Sequence, residues 1–411
     1  MKKYVMTALA LAMSVSAFAQ PKPEEPPPRW LQGRSAEDAQ STLHPFVPKL
    51  TGADASELQM SKLKLPPGFA VDIWAEVPNA RSLARGTKGT IFVSNLAAND
   101  VYAVVDKNGK REVKKILKGL NAPNGIAFLD GNLYVAERTQ IKKYENIEDR
   151  LDNPPEGVLV VDGLDPTNGP GHFWKYLTVG PDKKLYFNIG SPQNITIPNY
   201  VQGAIMRVDP QTGRMERVAT GVRNSVGMTF HPVTKKLWFT EHGRDWMGDD
   251  KPSDELNVLS KEGENFGYPF CHQGDIPDPL YGKYASCGQF TPPALNLGAH
   301  VAPLGLRFYT GNQFPAEYKN ALFVARHGSW NRNTKQGYDV MRVTLGANGK
   351  VVKYEPFLTG FLLDEKGDPP MWGRPVDMLV MPDGSMLVSD DHNGIIYRIT
   401  YNKSASGVVK Q

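Results

Sequence analysis

One motif recurs six times along the chain and limits the folds open to it. An apolar patch leads into a turn of the Pro-Asp-Gly kind, and a Leu-aromatic-Val strand follows that ends in a small polar residue. The copies are Gly89–Asn95, Gly125–Glu137, Leu177–Asn188, Met228–Glu241, Leu306–Ala325 and Met378–Asp390. Their strands begin near 91, 133, 185, 237, 322 and 386, so the period runs from about 40 to 85 residues. That exceeds a solenoid unit and suits propeller blades carrying insertions. Amphipathic helical periodicity is scarce, and further strands at 338–344 and 394–401 fill out the sheets. The pattern predicts an all-β, six-bladed β-propeller, whose radial closure protects its sheet edges. A β-sandwich pair would not require a sixfold motif. The early strand near 69–75 is expected to pair with the last blade and close the ring.

The 39 Gly and 33 Pro, about 17% of 411 residues, agree with many turns and short strands. Apolar content is too high and net charge (+4) too low for a disordered chain. With 47 basic and 43 acidic residues there is no surplus to neutralise a phosphate backbone, so nucleic acid is not an expected partner.

The start of the chain reads as an address. Lys2 and Lys3, an apolar run from Val5 to Phe18 and the small-x-small site Ala17-Phe18-Ala19 form a cleavable secretory signal over residues 1–19. Residues 20–62 are a Pro-rich N-terminal extension, 63–403 the propeller and 404–411 a tail. No other stretch reaches membrane-spanning length, which makes a periplasmic product the expectation. In an oxidising compartment Cys271 and Cys287 read as a structural disulfide, worth about 3 kcal/mol by loop entropy. Both lie in a long insertion, about 243–300, with little strand pattern. Long inter-strand loops cluster at one propeller face, so this one is expected to face the substrate.

No phosphate loop, zinc-protease helix, nucleophile elbow or dinucleotide fingerprint occurs. Polar residues at matched blade positions remain: His172 ahead of the third strand, Arg223 and Asn224 ahead of the fourth, Arg374 ahead of the sixth and His327 after the fifth. A histidine, two arginines and an amide about one axis would bind a planar anion and supply a base. The acidic stretch from Asp245 through Asp249, Asp250, Asp254 and Glu255 is either a solvated loop or a calcium site.

At these residues a family resemblance emerges. Gly221–Met228, Leu237–Asp250, Asp254–Asn257, Asn265–Pro269, His327–Arg332, Trp372–Asp377 and Leu65–Phe69, in that ordered set, resemble the sorbosone dehydrogenase branch of the soluble glucose/sorbosone dehydrogenases. The similarity runs over roughly 63–401. It implies a propeller holding pyrroloquinoline quinone (PQQ) and Ca2+, which oxidises an aldose or sorbosone-like sugar and passes electrons to an external acceptor, a cytochrome or quinone. His172 resembles the general base, and Arg223 the arginine that stabilises charge on the quinone oxygen. Asn224 and Asn124 would help hold the cofactor, and Arg374 would pair with its carboxylate. The carbonyls of Gly243 and Arg244 match the catalytic calcium ligands, Asp254 and Glu255 a second, structural calcium site. The chain departs from the glucose-oxidising branch at Gly171, Arg244 and Val376, and no lysine directly follows the fifth strand; His327, Arg332 or Lys335 would take that place. The alternatives are a calcium-stabilised propeller that binds carbohydrate or a protein without redox chemistry, and a calcium-dependent lactonase, which would need an axial carboxylate cluster.

Overall fold

The structure, a computed structural model, describes residues 32–34, 38, 41–164 and 172–403. The proposed signal segment, Gly171 and the tail from 404 lie outside these residues.

Six four-stranded antiparallel sheets carry almost all the strand content. Blade 1 comprises Ala80–Arg85, Ile91–Asn95, Asp100–Lys107 and Lys110–Leu117; blade 2 Gly125–Leu129, Asn132–Ala136, Ile141–Tyr144 and Val158–Val161. Blade 3 comprises Leu177–Val179, Leu185–Ile189, Ala204–Val208 and Met215–Thr220; blade 4 Met228–Phe230, Leu237–Glu241, Ser253–Val258 and Leu295–Ala299. Blade 5 comprises Pro303–Phe308, Leu322–Arg326, Asp339–Leu345 and Val351–Leu358; blade 6 Pro375–Val380, Met386–Asp390 and Ile395–Tyr401. The first strand of each blade touches the first strand of the next, and blade 6 touches blade 1, which closes the ring.

The six motif strands are the second strands of the six blades. Each is buried along nearly its whole length because neighbouring blades cover both faces, which produces a continuous apolar run instead of alternation. Every pair of adjacent blades encloses its own apolar cluster. Near the axis the first strands pack so closely that a Cβ on Gly125 would meet the Leu177 nitrogen at 2.4 Å, and one on Gly227 the Leu304 oxygen at 1.9 Å.

Closure is as the sequence predicts. Phe69–Glu76 pairs antiparallel with Ile395–Tyr401, Phe69 opposite Tyr401, and supplies the outer strand of blade 6. The Phe69 ring anchors it, with Phe314, Tyr318, Phe357 and Tyr401 at centroid distances of 4.8, 5.0, 5.1 and 4.9 Å.

One region differs from expectation, and the place of another was open from sequence. The span 243–300 is not all loop, since Ser253–Val258 and Leu295–Ala299 complete blade 4. The remaining excursion, 259–294, runs beside the edge of blade 3, where Asn265 bridges Thr220. It holds the Cys271–Cys287 disulfide, with Cα atoms 5.3 Å apart. The N-terminal extension also reaches the core in its described part: Met60 is buried in the blade 5–6 cluster, and Phe46 and Leu58 pack against it. Among the described residues no helix is long and apolar enough to cross a membrane.

Candidate active site

The connections entering the first strands and those leaving the second strands meet at one face of the ring. His172, Arg223, Asn224, Arg374, His327, Arg332 and the Gly243–Arg244 segment all lie on such connections, as expected for an axial site.

His172 is buried, and its Nδ1 lies 2.8 Å from the Ser191 carbonyl. A carbonyl only accepts, so Nδ1 carries a proton, and in the neutral ring Nε2 holds the lone pair. Asn224 is buried too. Its amide nitrogen lies 3.1 Å from His242 Nδ1, while its Oδ1 has no partner. His242 donates from Nε2 to the Pro303 carbonyl at 2.8 Å, and burial pushes its pKa down to about 4, so it is neutral at pH 7.

Arg223 is saturated. Nε donates to the Asn194 carbonyl (2.8 Å), Nη1 to the carbonyls of His242 (3.2 Å) and Gly243 (2.9 Å), and Nη2 to Asn194 Oδ1 (2.8 Å) and Asp245 Oδ2 (3.0 Å). A guanidinium has five N–H donors, and all five are spent within the protein. No donor remains for a quinone oxygen, the role the resemblance implies.

Arg374 differs. Nε donates to the His327 carbonyl (3.1 Å) and Nη2 to that of Gly328 (3.4 Å), which leaves further donors on a half-buried group. His327 Nε2 lies 2.8 Å from Asp391 Oδ1, and Asp391 Oδ2 takes Arg81 Nη1 at 2.7 Å. Arg81 Nε reaches Asn124 Oδ1 at 3.1 Å, and Asn124 donates to the Lys175 carbonyl at 3.1 Å. Asn124 is thus spent on bridging blades. Arg81 stacks over Trp174 at 4.9 Å, and its Nη2 is buried without a partner. Burial alone would raise the Asp391 pKa, but His327 and Arg81 hold it far below the carboxylate range. His327 is pushed down to about 4 by burial and by Arg374, against the pull of Asp391.

Other expected residues do not converge. Arg332 is tied to Asp250 (2.9 Å) and to the carbonyls of Asp249 and Thr334, and Lys335 donates to the Trp330 carbonyl at 2.8 Å. Arg332 braces its loop against the Asp249–Asp250 turn, while Lys335 ties the same loop to itself through the Trp330 and Arg332 carbonyls. Asp254 and Glu255 are buried in a strand, so the solvated-loop alternative falls for them. They also part company: Asp254 accepts the Gly243 and Ala302 amides at 2.8 and 2.7 Å, while Glu255 accepts Asn257 Nδ2 at 2.9 Å. Among the described residues no three His, Cys, Asp or Glu side chains form a metal-binding group. Arg244 points away from the axis into a buried pair with Asp278, at 2.7 Å, which also takes His272 Nε2 at 3.0 Å. This pins the 259–294 excursion to the site face and brings Tyr268 within 2.7 Å of Ser191 Oγ.

Sequence reasoning missed Arg81, Asp391 and Asn194, and named Asp245 only as part of the acidic stretch. Asp391 had a signal, because it leaves its blade's second strand at the position that singled out His327. The extension crosses the same mouth. The Gln32 carbonyl accepts from Asn194, Arg34 covers Trp246 at 5.1 Å, and Phe46 lies 5.4 Å from Arg374.

Fold and site together define a six-bladed propeller with an axial polar mouth, lined by a tautomer-fixed histidine and arginines of unequal hydrogen-bond occupancy. The chain belongs to the Glucose / Sorbosone dehydrogenase family, whose model matches residues 136–362. A protein of Borreliella burgdorferi is 36% identical over 361 residues, 85% of this chain and 93% of its own length. The pyrroloquinoline quinone-dependent pyranose dehydrogenase of Coprinopsis cinerea is 24% identical over 406 residues, covering 80% of this chain, which spans only 53% of that protein. Among solved structures, the calcium structure of the Trichoderma reesei Carbohydrate-Active Enzymes Family AA12 protein superposes with a TM-score of 0.73 at 21% identity, over 83% of this chain and 97% of that one.

Proposed function

We infer that this chain is a periplasmic quinoprotein that oxidises the hydroxyl or aldehyde carbon of an aldose or sorbosone-like sugar. The observation that carries the reading is the pair of buried or half-buried arginines with donors to spare, Arg374 and Arg81, at the mouth that also holds the Nδ1-protonated His172. Their chemistry fits a planar polycarboxylate such as PQQ, and the quinone-dependent relative supports it. PQQ, when bound, supplies the hydride acceptor.

The chain's own residues do the rest. Arg374, backed by the His327 and Gly328 carbonyls, holds a cofactor carboxylate, and the Asn224 Oδ1 acceptor orients the ring edge. His172 Nε2 takes the substrate hydroxyl proton, leaving the C–H pair free to depart as hydride. Ser191 fixes the tautomer that makes this possible. With both cysteines in a disulfide no c-type haem attaches, so electrons leave to a separate cytochrome or quinone. Calcium on the Gly243 and Arg244 carbonyls fits this arrangement poorly, because it would set a divalent ion against the Arg223 guanidinium that already donates to the Gly243 oxygen; no step is routed through it.

The test is reconstitution of the full chain with PQQ, followed by dye reduction over a panel of aldoses and aldehydes. Stoichiometric quinone binding with sugar-dependent bleaching is expected. No quinone binding at micromolar concentration overturns the reading in favour of a binding module.

A further inference from the structure

Five oxygen atoms surround the Arg223 guanidinium at the axial mouth, spread over its three nitrogens: the Asn194 carbonyl at Nε, the carbonyls of His242 and Gly243 at Nη1, and Asn194 Oδ1 and Asp245 Oδ2 at Nη2. An all-oxygen set with a single carboxylate is what a hard divalent cation takes. Here a guanidinium fills it, matching five donors to five acceptors.

The guanidinium is fixed from behind. The Arg223 amide donates to Glu241 Oε1 at 2.6 Å, and its carbonyl accepts the Ser191 amide at 2.7 Å. Swinging the side chain out would remove five donors at once and leave the carbonyls of His242 and Gly243 and Asp245 Oδ2 to find others, at a desolvation cost. Charge argues the same way. Arg223 and Arg244 flank the segment, Asp245 and Asp278 neutralise them one for one, and an added divalent ion would stand uncompensated. Nor is Asp254 spare, since both its oxygens accept amides.

We propose that the Arg223 guanidinium takes the place of the divalent cation at this mouth, so that the site is charged by an arginine and cofactor capture needs no calcium. The statement about the cofactor rests on the quinoprotein reading above; the statement about the oxygen cage does not.

Two measurements on the full chain separate them. In equilibrium dialysis after chelator treatment, Arg223→Met opens the cage and is expected to bind one more calcium per chain than wild type. Equal stoichiometry in the two proteins overturns the proposal; if the Met variant does not fold, Arg223→Gln gives the same count. In quinone titrations, wild-type affinity is expected to stay within about threefold between excess chelator and millimolar calcium. Arg223→Met is expected to lose at least about tenfold in chelator and to regain it with calcium. A tenfold loss of wild-type affinity on chelation also overturns the proposal. Should PQQ bind in neither condition, the quinoprotein reading fails while the calcium count still decides on the cage.

Discussion

Asp391→Asn removes the one anion that holds together the Arg81–Asp391–His327 bridge, and its cost can be worked from the geometry. The Arg81 Nη1 to Asp391 Oδ2 distance is 2.7 Å, and the two side chains are 2% and 10% exposed, so neither partner can turn to water. At about 4 Å between charge centres and an effective dielectric near 20, the lost attraction is about 4 kcal/mol. Breaking a buried pair by removing one partner costs about 3–5 kcal/mol in general, because the other charge stays buried. Arg81 would then face Arg374 unopposed, and its Nη2 already lacks a partner. Urea unfolding followed by tryptophan fluorescence should show a loss of about 3–4 kcal/mol, a large share of the 5–15 kcal/mol typical of a whole domain. Adding Arg81→Met removes the stranded cation, so the double variant should recover at least half of that loss. A single-variant loss below about 1 kcal/mol, or a double variant whose loss equals the sum of the two singles, would refute the reasoning.

Protonation gives a second check. Burial lowers the pKa of His327 to about 4 and also lowers that of His300, so these two rings bind more protons in the unfolded chain than in the folded one between about pH 6.5 and 4, whereas Asp254, Glu255 and Asp390, raised by burial to about 8, 7 and 6, bind more in the folded chain. The His327 contribution to stability should therefore fall as pH drops through that window; a urea midpoint with the same pH dependence in wild type and in His327→Gln contradicts the assignment. Phe69→Ala empties the ring-lined pocket that anchors the closing strand and should cost about 3–5 kcal/mol, with amides of Ile395–Tyr401 losing exchange protection before those of blades 2 and 3. His172→Ala should retain quinone binding and lose turnover by about two to four orders of magnitude; retained turnover removes His172 from the base role.

The second strands were legible because burial on both faces writes an unbroken apolar run, as in Leu185–Ile189 and Leu237–Glu241. Outer strands other than the closing Phe69–Glu76 were not. Lys110–Leu117 and Val351–Leu358 face solvent along one edge and carry lysines and glutamates, which dilute the pattern. Ser253–Val258 was hidden for the opposite reason: Asp254, Glu255 and Asn257 are polar yet buried, which no period-two pattern marks as strand. His172, Arg223 and Arg374 could be named from blade equivalence alone. What sequence could not give was occupancy. Two arginines at equivalent positions look the same on paper, yet one spends five donors on its own protein and the other keeps donors to spare.

Occupancy also links the site to the closure of the ring. Arg374 and Asp391 sit on blade 6, the blade completed by the N-terminal strand Phe69–Glu76. Asp391 reaches forward to Arg81 on blade 1 and back to His327 on blade 5, so the polar bridge spans the two junctions that close last in chain order. A ligand held by Arg374 binds only the closed ring, and whatever binds only the folded form stabilises it by mass action. The Phe69 pocket, on the rim of blades 5 and 6, and the arginines at the axis therefore act on one equilibrium from its two ends. Loosening the closing strand should weaken anion affinity at the axis even though Phe69 touches no part of the site.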